Sequence, residues 1–120
     1  ILKIVSDNNY SNMESLPFWI LKLTQKLELP ESFQLNLSDI IAPYSYNASY
    51  IARTFKKHLG VTMREYFLSC KLNYATLLLK STPLSIAQIA EQSGFLNLSY
   101  FNRVFKERFN MTPKEYRNSV

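Results

Sequence analysis

The sequence predicts an all-α fold of about seven helices, arranged as two helix-turn-helix units in tandem and joined by one long helix. Three observations lead there. Only two glycines and five prolines interrupt 120 residues, 47% of them hydrophobic, enough for one ordinary core and too few for two unrelated domains. No segment alternates apolar and polar residues long enough to read as a strand pair, whereas apolar residues recur at helical spacing between good capping residues. A block of residues also repeats at a fixed offset, each time in the same setting of short helix, turn and longer helix.

The elements follow in order. Pro17 opens a helix with Phe18, Trp19, Leu21 and Leu27 on one side, ending before Pro30. Ser38 caps a short helix carrying Ile40 and Ile41, which stops near Pro43. Asn47 caps a helix with Tyr50, Ile51, Thr54, Phe55 and Leu59 at core spacing, and Gly60 supplies its left-handed end. Thr62 caps a long helix to about Lys80, with a stripe of Tyr66, Phe67, Cys70, Tyr74, Leu77 and Leu78. Ser85 caps a helix carrying Ile86, Ile89 and Ala90, and Gly94-Phe95 forms the turn after it. A further helix runs from about Leu98 to Phe109, and a last short one begins at Pro113. The expected divisions are a preceding segment over 1–36, the end of a linker with one helix, then a first unit with the central helix over 37–82 and a second unit over 83–120.

The repeat carries the functional reading. Ser49-Tyr50-Ile51-Ala52-Arg53-Thr54-Phe55-Lys56 and Ser99-Tyr100-Phe101-Asn102-Arg103-Val104-Phe105-Lys106 share Ser, Tyr, Arg, Phe and Lys at matching offsets, 50 residues apart. Thr62 and Thr112, Glu65 and Glu115, Tyr66 and Tyr116 keep the same offset, and Gly60 and Asn110 stand at the two left-handed caps. Upstream the register slips by one, since Ile41 and Ala90 differ by one residue in their distance from Arg53 and Arg103; a single indel in the turn is expected. In the longer helices Tyr50, Ile51, Thr54 and Phe55, and Tyr100, Phe101, Val104 and Phe105, face the core. Ser49, Ala52, Arg53 and Lys56, and Ser99, Asn102, Arg103 and Lys106, remain outside. Small, hydrogen-bonding and guanidinium groups on an exposed helix suit a DNA major groove, where Arg pairs bidentately with guanine and Asn with adenine. Packing alone does not require Arg and Lys at matching exposed positions. The long helix, about 28 Å for 19 residues, approaches the roughly 34 Å between successive groove entries and is expected to act as a spacer.

Charge agrees. Residues 1–37 hold three basic and four acidic side chains, so 11 of the 14 basic and 5 of the 9 acidic residues lie from Ser38 onward, a net +6 there within +5 for the chain. A polyanion is the natural partner of such a surface. The lone Cys70 excludes an internal disulfide. No apolar run reaches the roughly 18 residues of a membrane span, and no secretory signal opens the chain, so cytoplasmic location is expected. The first residue is Ile1, which reads as a fragment of a longer protein. His58 and Cys70 are single and lie on different helices, read as a surface histidine and a buried structural cysteine rather than a nucleophile pair. Two such ligands cannot complete a structural zinc site, and no P-loop or dinucleotide motif occurs. No enzyme activity, cofactor or metal is expected. The Phe18, Trp19 and Leu21 face is core in this reading, although a partner surface is the other use of such a stripe.

Ile86-Ala87-Gln88-Ile89-Ala90, Gly94-Phe95, the 99–106 block and Thr112-Pro113-Lys114-Glu115-Tyr116-Arg117 resemble the DNA-binding domain of the AraC/XylS family of bacterial transcriptional regulators. The likeness runs from about Leu37 to Arg117. It implies seven helices in a homeodomain-like tandem, with the two reader helices in adjacent major grooves of promoter or operator DNA. It also implies a role as activator or repressor, RNA polymerase as a second partner, and effector and dimerisation functions in another domain. Base contacts would fall on Ser49, Ala52 and Arg53, and on Leu98, Ser99, Asn102 and Arg103; Asn47, Lys56, Lys57 and Lys106 complete the candidate DNA-binding set. Ala52 and Leu98 are apolar and could touch only a thymine methyl. Ile41, Ser45 and Lys71 stand where the family usually has a small residue, a glycine and an arginine. The stretch Leu16-Pro17-Phe18-Trp19-Ile20-Leu21 with Pro30-Glu31-Ser32-Phe33 is similar to the segment before this domain in regulators of chitobiose or cellobiose operons.

Overall fold

The computed structural model describes residues 16–120, and every regular element among them is helical. Among the described residues there are seven α-helices: α1 (Phe18–Glu28), α2 (Leu37–Ile41), α3 (Ala48–Leu59), α4 (Met63–Ser81), α5 (Ile86–Gln92), α6 (Leu98–Phe109) and α7 (Pro113–Asn118), with a 3-10 turn at Pro30–Ser32. The chain divides into two compact units, the second beginning at Ser69 inside α4.

In the first unit α1 buries Ile20, Leu23, Thr24 and Leu27. Leu27 is buried as expected, but Ile20, Leu23 and Thr24 accompany it in place of Phe18 and Leu21. Phe18 is 72% exposed, with the Lys22 ammonium over its ring, and Leu21 is half-buried. Residues 18–21 are apolar without a break, so their own spacing cannot choose a side; Leu23 and Leu27, four apart, choose it. Thr24 turns its hydroxyl back to the Leu21 carbonyl at 2.7 Å, which lets it lie inside. Phe33, Ile40, Ile51, Phe55, Leu59, Met63, Tyr66 and Phe67 complete this core. Tyr66 meets Phe55 edge-on at 5.5 Å and donates its hydroxyl to Glu28, tying α1 and α3 to α4.

The cap of α2 also differs from expectation. Asn36, not Ser38, accepts from the Asp39 N–H at 2.9 Å, and Ser38 donates its hydroxyl to the same oxygen at 2.7 Å. The backbone is extended at Asn36 and helical from Leu37, so Ser38 lies already inside the first turn. The one-residue slip between the repeats is likewise not a simple indel in the turn. α2 stops at Ile41, before Pro43, whereas α5 runs two residues beyond Ala90 to Gln92, so the turns span 42–47 and 93–97. Ala42 keeps helical dihedrals, but Pro43 has no backbone N–H to continue the helical ladder, which stops α2.

In the second unit Leu72, Ala75, Leu78 and Leu79 of α4 pack with Ile89, Ala90, Phe95, Phe101, Val104 and Phe105. Here too the long-helix stripe needs correcting. Leu77 is 59% exposed, and Cys70 and Tyr74 are only half-buried. One helix serves two cores, so its buried residues form two separate sets and no single stripe runs its length. Arg117 of α7 donates to the carbonyls of Leu79 and Thr82, both at 3.1 Å. Lys80 reaches back to Ser119 and lies 5.2 Å from the Tyr116 ring centre. The two Arg117 bonds supply partners for carbonyls around the C-terminal end of α4, which the helix itself leaves open.

Candidate nucleic-acid interface

Capping fixes where each exposed helix starts. Asn47 accepts from the Tyr50 N–H at 2.8 Å and Asn97 from the Tyr100 N–H at 2.9 Å, so α3 and α6 begin at equivalent points. Sequence reasoning missed Asn97 as a cap, although its 50-residue offset from Asn47 signals it. Both helices end in left-handed residues, Gly60 at φ 80° and Asn110 at φ 59°, whose N–H groups bond Lys56 and Lys106. Behind them Thr62 with Glu65 and Thr112 with Glu115 form reciprocal capping boxes, with all four bonds between 2.8 and 3.1 Å. Both carboxyls sit below the usual glutamate range, held there first by the threonine backbone N–H and then by the threonine side chain.

With Ile51, Phe55 and Leu59 turned inward, Ser49, Ala52, Arg53, Lys56 and Lys57 of α3 are exposed. With Phe101, Val104 and Phe105 inward, Leu98, Ser99, Asn102, Arg103 and Lys106 of α6 are exposed. Asn47 is exposed too, but its side-chain oxygen is spent on the cap, leaving the amide NH2 to face outward partners. Tyr50 and Tyr100 are not core residues as expected: they are 39% and 42% exposed, on the flank of each stripe. The Arg103 guanidinium lies 5.1 Å from the Tyr100 ring centre and 3.4 Å from Glu107. Both partners of that ion pair are mostly exposed, and such pairs hold by about 0–1 kcal/mol. The offset-matched residue in α3 is Lys57, so Arg53 meets a like charge one turn on.

The turns before the two helices are braced differently. In the first unit Trp19 of α1 lies 4.8 Å from Tyr46, 6.0 Å from Tyr44 and 6.2 Å from Tyr50 between ring centres. Trp19 therefore belongs to an aromatic cluster at the start of α3, and burial raises the Tyr44 hydroxyl pKa. In the second unit Lys71, half-buried, donates to the Gly94 carbonyl at 3.2 Å and lies 5.9 Å from the Phe95 ring centre. Burial lowers its pKa. Phe95 packs on Phe101 at 4.9 Å, which sets the entry into α6.

His58 and Cys70 are both half-buried, neither the surface histidine nor the enclosed cysteine expected. Among the described residues no group of three or more His, Cys, Asp or Glu is placed to hold a metal ion, and no helix is long and apolar enough to cross a membrane.

A short helix, a turn and a longer helix with an exposed basic face, present twice, define a tandem helix-turn-helix protein. Residues 42–119 match the family described as "Helix-turn-helix domain", HTH_18. The uncharacterized HTH-type transcriptional regulator YfiF of Bacillus subtilis is 38% identical over 84 residues, 70% of this chain and 26% of that protein. The HTH-type transcriptional activator RhaR of Mannheimia succiniciproducens is 31% identical over 109 residues, 91% of this chain and 38% of that protein. The chain thus spans well under half the length of these curated relatives. Among solved structures, the C-terminal domain of AraT, a response regulator from Geobacillus stearothermophilus, superposes with a TM-score of 0.80 at 25% identity, covering 88% of each chain. The chain belongs to this helix-turn-helix family, as a DNA-binding domain of the AraC/XylS type found in transcription regulators.

Proposed function

We propose that the chain is the sequence-reading part of a cytoplasmic bacterial transcription regulator, with α3 and α6 in successive major grooves of operator DNA. One observation carries this. Across a 50-residue offset the two stripes, Ser49, Ala52, Arg53 and Lys56, and Ser99, Asn102, Arg103 and Lys106, stay exposed while Ile51 and Phe55, and Phe101 and Phe105, are buried. In this reading Arg53, Arg103 and Asn102 read base edges, Ala52 and Leu98 touch a methyl group or nothing, and Lys56, Lys57 and Lys106 meet phosphates. Asn47 supports the backbone contact through its free amide. Effector binding and dimerisation belong to a further domain, RNA polymerase is a second partner, and binding rather than catalysis is the activity. The segment around Leu16–Leu21 and Pro30–Phe33 supports a place near regulators of chitobiose or cellobiose operons.

The test is selection of a site from a random duplex pool, followed by titration of that site in rising salt. A defined site whose affinity falls with salt is expected. Failure to enrich any sequence, or tight binding indifferent to salt, would overturn the reading.

A further inference from the structure

Leu96 stands in the turn before α6 with its side chain wholly open to solvent, at 102% exposure, and Leu98, the first residue of the helix, is 43% exposed. Between them lies Asn97, the cap. An apolar residue just before an N-cap has a usual structural task, which is to pack on the fourth residue of the helix as a hydrophobic staple. Here that fourth residue is Phe101, fully buried, and the ring against it is Phe95. Phe95 fills the staple's place. Gly94 is left-handed at φ 87°, and Lys71 holds its carbonyl, so the turn sends Phe95 inward and leaves Leu96 outside. The first unit treats the equivalent position otherwise. Tyr46 lies in ring contact with Trp19 and, at 4.9 Å, with Tyr50. Leu96 has no comparable packing, and an exposed leucine there contributes nothing to the core.

Both leucines flank the N-terminal end of the stripe Ser99, Asn102 and Arg103, the end by which a helix of this kind enters a groove. The apolar group on a major-groove edge is the thymine 5-methyl. We infer that Leu96 and Leu98 together grip one thymine methyl, making the turn itself a specificity element of the second unit. The inference rests on the reading of α6 as a groove helix proposed above.

The experiment uses the 120-residue chain and a duplex selected by it, with each thymine replaced in turn by uracil, which deletes only the methyl. At one position within the segment covered by the second unit, the wild type should bind about fourfold more weakly, the effect of one lost methyl burial. Leu96→Ala and Leu98→Ala should bind the thymine duplex more weakly and no longer distinguish it from the uracil duplex. Both positions are exposed, so unchanged thermal unfolding of the variants confirms that the fold is intact. Equal response of wild type and variants to every uracil would overturn the inference, as would Leu96→Ala binding that is unchanged on all duplexes, the result if Leu96 serves a protein partner. If a site is selected and Arg103→Ala loses its preference while uracil has no effect, the leucine inference alone fails. If no site is selected, the reading of α6 fails with it.

Discussion

At the scale of single residues, Arg103 and Lys106 separate reading from holding. Arg103 projects from the exposed face of α6, and its pair with Glu107 is too weak to keep it from a base edge. Arg103→Ala is expected to cost about 1–3 kcal/mol on the selected site and relax preference at one base pair. Lys106 lies further from the helix N-terminus. Lys106→Ala should weaken every sequence about equally and reduce the salt slope by about one unit. Titrating each variant on the selected duplex and on a scrambled one checks both; equal losses on the two duplexes for Arg103→Ala would remove it from the readers. The α3 counterpart, Arg53, has Lys57 where Arg103 has Glu107. In the proposed complex Arg53 would therefore enter the groove without a matching i,i+4 ion pair to give up.

At the scale of elements, the duplicated capping boxes are the most informative feature. Thr62 and Thr112 each satisfy an N–H at a helix start, and their glutamates return the bond. Thr62→Ala and Thr112→Ala are each expected to destabilise the protein by about 1 kcal/mol in urea unfolding. The glutamates add a dependence on pH. Their folded pKa values lie below the ordinary value, so their contribution is present above the unfolded glutamate pKa and is lost as pH falls through the folded one. Thermal stability should accordingly drop as pH falls below the ordinary glutamate value of 4.5. In the double variant Glu65→Gln with Glu115→Gln the drop should be shallower, because glutamine can keep the box without a titrating group. An unchanged pH profile in that variant would show that other carboxyls govern the acid limb.

At the scale of the whole molecule, the prediction concerns salt and footprint. If roughly four phosphates are neutralised, affinity should fall roughly a hundredfold between about 50 and 200 mM salt. One chain should protect two major-groove segments about one helical turn apart. Protection of a single segment would leave one unit reading and the other supporting. Trp19, the sole tryptophan, lies against Tyr50 at the head of α3, so its fluorescence should change when the first unit engages DNA.

Helices, the caps other than Asn36 and Asn97, and the two outward stripes were legible from sequence because they depend on local chemistry. Asn47, Ser85, Gly60 and Pro113 act within a turn or two of themselves, and the repeat named the exposed positions twice. Tertiary structure decided which of several apolar residues are enclosed. Phe18 and Leu77 satisfy a helical pattern as well as Ile20 and Leu79 do, but only the latter meet partners from other elements. Tyr50 and Tyr100 are amphipathic, so spacing alone could not separate a flank from a core; rings brought from Trp19 and a guanidinium from Arg103 hold them at the surface. The exposure of Leu96 belongs to the same class. Nothing in its neighbours along the chain marks it, and it follows from Phe95 reaching Phe101 first and from Lys71, 23 residues before Gly94, holding the Gly94 carbonyl in the turn. The chain by itself determined two basic reading helices; burial, which depends on contacts distant in sequence, decided what else stands beside them.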